Sequence, residues 1–123
     1  MVPAEETLHI ALRGYTETAI KASLEAISQK TLTKIEGVVN DWMSVEEAIV
    51  GGLVYSLLPN LVDQFLDNKT RGLIKADLDK KENFTRYKHL KKGIGIVQDL
   101  GYIKSLEIYK DNPNKFKTML EAA

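Results

Sequence analysis

Residues 44–62, Ser-Val-Glu-Glu-Ala-Ile-Val-Gly-Gly-Leu-Val-Tyr-Ser-Leu-Leu-Pro-Asn-Leu-Val, decide the fold of this chain. From residue 48 onward they form its most apolar run. Just ahead, Ser44 and Glu47 have the spacing of a capping box, in which serine and glutamate satisfy each other's backbone donors at a helix start. The pattern predicts a helix over residues 45–67 that is kinked or divided at Pro59, whose ring nitrogen has no hydrogen to donate to the carbonyl of Tyr55. A bilayer span needs about 20 apolar residues. Gly51, Gly52, Ser56, Pro59 and Asn60 interrupt this run, so it reads as a buried core helix and not as a membrane segment. Trp42 and residues 53–65 are expected to form the central core, and Gly51 and Gly52 to admit another backbone closely.

Upstream, Leu8, Leu12, Tyr15, Ala19, Ala22 and Ala26 recur at spacings of four and three, which places them on one stripe of a helix starting near Pro3. Ile20, Leu24 and Ile27 lie on a second face, and a helix apolar on two sides has two neighbours. Ala19, Ala22, Leu24, Ala26 and Ile27 are therefore the residues expected to mediate self-association. Residues 28–33 are polar and read as either a break or a wet turn of one long helix; Thr33 with Glu36 again has capping-box spacing, which favours a new start. Leu32, Ile35, Val38, Val39 and Trp42 then make another apolar face.

Downstream, residues 67–72 read as a turn, and Leu73, Ile74 and Leu78 as a short amphipathic piece. Asn83 is placed to cap a helix with Tyr87, Leu90, Ile94 and Val97 on one stripe and Lys88 and Lys92 pointing away from it. Gly101 is a natural stop. Residues 102–120 fit either helix or a short β-hairpin around a turn at 111–114.

Charge divides the chain in two. Residues 1–67 carry four basic and ten acidic side chains, residues 68–123 carry thirteen basic and seven acidic, and the 123-residue whole is neutral. Nine of those basic residues fall between Lys69 and Lys92, which offers a docking place for a polyanion or for the acidic half of another copy. Phe84, Tyr87 and His89 are interleaved with them, a mixture suited to phosphate contacts and base stacking. Lys69, Arg71, Lys75, Arg86, Lys88, Lys91 and Lys92 are the residues expected to meet nucleic acid or an acidic partner.

Motifs for chemistry are sparse. The chain has no cysteine, hence no disulfide, thiolate ligand or cysteine nucleophile. Glu6 and His9 have the Glu-x-x-His spacing of di-iron bundles, but Arg86 stands three residues before His89, the only other histidine, so the second half is missing and His9 reads as a surface residue. Glu5-Glu6 and Glu46-Glu47 are each expected at a helix N-terminus, where the dipole favours negative charge. Gly93-Ile94-Gly95 lacks the lysine ending of a phosphate-binding loop and reads as a close-packing feature. Residues 91–103 resemble the end of a winged-helix recognition helix, with Leu100-Gly101-Tyr102-Ile103 leading into the wing; the two glycines depart from that pattern, and no family follows from so short a stretch.

The sequence thus predicts one all-α domain, a compact bundle of four to six helices with the hairpin at 102–120 as the only β alternative. Its expected role is a non-enzymatic structural or adaptor subunit that oligomerises or docks in a larger assembly, such as a viral or phage particle. A small nucleic-acid-binding protein is the alternative. No metal, cofactor, small-molecule substrate or membrane is expected. The start lacks a signal-peptide pattern, which implies the cytoplasm or a particle assembled inside a cell.

Overall fold

The computed structural model describes residues 4–65, 76–77, 79–81 and 84–123. Every regular element among them is helical: α1 (Ala4–Glu25), α2 (Leu32–Phe65), a 3-10 turn (Thr85–Tyr87), α3 (Leu90–Leu100), α4 (Tyr102–Asp111) and α5 (Pro113–Ala122). The bundle is all-α, as the periodicities require.

α2 is its axis. Residues 44–53 are all buried, so the helix is covered all round at this level, by α1 on one side and α3 on another, with α5 also in contact. The core gathers Leu12 and Ala19 of α1, Trp42, Val45, Ile49 and Leu53 of α2, Val97 of α3, Tyr109 of α4, and Phe116 and Leu120 of α5. Tyr109 and Phe116 meet edge to face at 5.9 Å. Trp42 and Leu53 are central, as expected; the side chains of residues 56–65 lie outside the described ones, as do Lys69, Arg71, Lys75, Leu78 and Asn83.

α2 corrects the reading of its own start. It begins at Leu32, and Ser44, Glu46 and Glu47 sit in its interior. The Ser44 hydroxyl donates backward to the carbonyl of Asn40 at 3.0 Å, the interior habit of serine, so the capping box does not form. The N-terminal cap is Thr31, whose hydroxyl accepts from the backbone of Lys34 at 3.3 Å. The helix is not divided at Pro59.

Where α2 meets α3, both helices lack side chains. A Cβ added to Gly52 would lie 2.7 Å from the carbonyl oxygen of Gly93, one added to Gly93 would run into the carbonyl of Ala48, and one on Gly51 into the side chain of Leu90. Gly52 and Gly93 therefore serve close backbone approach, Gly51 makes room for the Leu90 side chain, and Gly95 faces open space. α3 starts at Leu90, later than the stripe from Asn83 suggested, because residues 85–87 are wound as a 3-10 turn. Phe84, just ahead of that turn, is 53% exposed.

The hairpin does not form. Gly101, at φ +89°, ends α3 and lets α4 start at once; its carbonyl accepts both the backbone and the hydroxyl of Ser105. Asn112 caps α5 by accepting from Lys115, and Pro113 takes the first helical position. Ser105 and Tyr109, four apart, face the core, whereas Ile103 is 71% exposed. Leu-Gly-Tyr-Ile thus leads into a helix and not into a wing.

Candidate functional site

The best-organised polar cluster of the molecule joins α1 to α2. Helical spacing puts His9, Leu12, Arg13 and Thr16 on the inner face of α1, where they meet Glu46, whose side chain is fully buried. Arg13 holds this carboxylate with a fork, Nε to Oε1 at 3.0 Å and Nη2 to Oε2 at 2.8 Å. His9 donates from Nδ1 to Glu46 Oε2 at 2.8 Å, and its Nε2 lies 3.3 Å from Glu47 Oε2. Thr16 donates to Glu46 Oε1 at 2.8 Å and accepts in turn from the buried hydroxyl of Tyr109.

Burial alone would raise the Glu46 carboxyl, but hydrogen bonds from His9, Arg13 and Thr16 overcome it and hold the group down to about 2. His9 is raised to about 9 by its hydrogen bonds to Glu46 and then Glu47. At neutral pH it is an imidazolium donating from both nitrogens. It offers no lone pair for base catalysis, and Glu46 already receives donors on both oxygens, so the cluster clamps α1 onto α2. Neither His9 as a surface residue nor Glu46-Glu47 as helix-start charges survives this geometry. One sequence signal does mark the cluster: His9, Arg13 and Thr16 form a polar stripe on the same face as the core residue Leu12.

A second set of contacts joins the acidic and basic halves. Arg86 Nη2 reaches the buried Glu47 at 2.9 Å, while Lys88 and Lys117 approach the two oxygens of Asp41 at 2.9 and 3.3 Å. Burial pushes the Asp41 carboxyl up, but the two lysines outweigh it and hold the group below its ordinary value. Lys117 also lies over the Trp42 ring, 5.5 Å from its centroid. Lys91 lies 3.9 Å from Asp79. Of the residues expected to meet a polyanion, Arg86, Lys88 and Lys91 are therefore engaged with carboxylates of their own chain, and Lys92 is exposed on α3.

The expected self-association residues scatter. Ala19 is buried in the core, Leu24 is half-buried, Ala22 is exposed on the outer side of α1, and Ala26 and Ile27 line an open groove with Gly37, Val38 and Asp41.

Beyond Arg86 lies a cleft of about 390 Å³, lined among the described residues by Asp77, Lys80, Lys81, Phe84, Arg86 and Tyr87. Tyr55 donates to Asp77 at 2.6 Å and accepts from Lys81 at 3.1 Å. Burial and then Asp77 push the Tyr55 phenol up to about 12. Among the described residues no group of three or more His, Cys, Asp or Glu side chains is arranged to hold a metal ion, and no helix is long and apolar enough to cross a membrane. No protein-family model, curated protein or solved structure matches the chain.

Proposed function

We propose that the chain is a non-enzymatic structural or adaptor subunit that assembles with a second copy of itself through the outward face of α1. The composition of that face carries the reading. Opposite the clamp, α1 exposes Ala11, Gly14, Thr18 and Ala22, with Lys21 and Glu25 exposed on the same face and Ile10 at 76% and Tyr15 at 38% exposure flanking it. A Cβ added at Gly14 would meet nothing within 4 Å, and the Thr18 hydroxyl is already satisfied by the carbonyl of Gly14 at 2.9 Å. Small side chains let a second backbone come close, and such a strip fits its own copy across a two-fold axis, with Ile10 and Tyr15 covered at the edges. Commitment of His9, Glu46 and Glu47 to one another supports a role without catalysis. A place in a larger complex or a viral or phage particle is the wider form of the same proposal.

Light scattering at micromolar protein tests it. The wild type should weigh as an oligomer, and the Ile10→Asp, Tyr15→Asp double variant as a monomer with unchanged circular dichroism, because neither residue belongs to the core. A wild type that stays monomeric throughout would refute self-assembly, and a double variant of wild-type mass would move the interface elsewhere.

A further inference from the structure

We propose that the cleft beside the 3-10 turn binds a nucleotide unit, with its base on Phe84 and its phosphate between Lys80 and Arg86. The cleft's size, about 390 Å³, falls in the range of small-ligand sites. Among the described residues its walls supply three cations and the carboxylate of Asp77, which is already engaged by Tyr55 and Lys81. Two of the cations are held in place. Lys81 is fixed by the Tyr55 hydroxyl and sits 5.3 Å from the centroids of both the Tyr55 and Tyr87 rings. Arg86 is anchored by one Nη to Glu47 at 2.9 Å yet its side chain stays 57% exposed, and a guanidinium with one nitrogen engaged keeps further donors for phosphate.

Phe84 supplies the other half of the recognition. It stands 53% exposed, braced edge to face by Tyr87 at a centroid distance of 6.5 Å. An exposed, braced ring beside fixed cations is the arrangement that accepts a planar base by stacking while the phosphate is held electrostatically. The inference is independent of how copies assemble through α1.

Titration calorimetry with adenosine monophosphate, adenosine, inorganic phosphate, phosphotyrosine and an adenylate tetramer tests the proposal. Adenosine monophosphate should bind more tightly than adenosine or phosphate. Phe84→Ala should weaken it about tenfold, as loss of one stacking contact does. Lys80→Gln should weaken it several-fold and flatten the salt dependence. Both residues are exposed, so both variants should keep the wild-type circular dichroism. A tetramer that binds more tightly, with a steeper salt dependence, would identify a strand as the source of the nucleotide; equal affinity would identify the free nucleotide. The proposal is overturned if adenosine monophosphate binds no better than phosphate, if Phe84→Ala changes nothing, or if phosphotyrosine binds equally well.

Discussion

Glu46 carries the attachment of α1 more than any other side chain, because it is fully buried and takes donors from His9, Arg13 and Thr16 together. Removing it would leave the Arg13 guanidinium, charged at any ordinary pH, without its carboxylate, and His9 and Thr16 without that acceptor. Glu46→Ala should therefore destabilise the fold by about 3 to 5 kcal/mol, the usual result of removing one partner of a buried pair, measured by denaturant unfolding. Loss of less than about 1 kcal/mol, the level of an exposed pair, would mean that the pairing contributes little. The cluster also sets a pH dependence. His9 is raised from 6.5 to about 9, so its contribution is complete below 6.5 and is lost as pH rises through about 9. Glu46 is lowered from 4.5 to about 2, so its contribution is complete above 4.5 and is lost as pH falls through about 2. Melting temperature should decline from mildly acidic to alkaline pH, and His9→Gln should flatten that decline. An alkaline limb identical in wild type and variant would contradict the assignment. The sequence offered His9 and Glu46 only in separate motifs, since partners thirty or more positions apart leave no local spacing that joins them.

At the scale of elements, the contact of α2 with α3 rests on absent side chains, and the two glycines of Gly93-Ile94-Gly95 make a matched test. A methyl at Gly93 would strike the backbone carbonyl of Ala48, which can yield only if a helix moves, whereas one at Gly95 would meet nothing within 4 Å. Gly93→Ala should cost about 1 to 3 kcal/mol or more. Gly95→Ala should stabilise by about 0.5 to 1 kcal/mol, the helical preference of alanine over glycine. Equal effects in thermal melts would show that the helices are not in backbone contact. This contact was legible because glycine inside an apolar helical run has few other uses. Helix starts were less legible. Ser44 and Glu47 match a capping box as a pattern, but nothing in residues 32–43 breaks a helix, so the serine is free to bond backward and the helix runs through. For residues 102–120, the Asn112 cap and Pro113 resolve the ambiguity toward helix.

Across the whole molecule, the opposite charges of the two halves were the most conspicuous feature of the sequence, and composition alone could not say whether they meet within one chain or between chains. Glu47 with Arg86, and Asp41 with Lys88 and Lys117, bring them together inside one molecule. The face of α1 proposed to meet another copy exposes Ala11, Gly14 and Ala22 beside Ile10 and Tyr15, with one lysine and one glutamate, Lys21 and Glu25, among them. If the small and apolar side chains carry the association, it should depend little on charge, because salt screens exposed ion pairs but leaves apolar burial intact. The most direct measurement is the mass of the wild-type protein by sedimentation equilibrium at low and at high salt. An oligomer of the same mass in both is the predicted result; a monomer in both, or an oligomer that dissociates as salt rises, would contradict it.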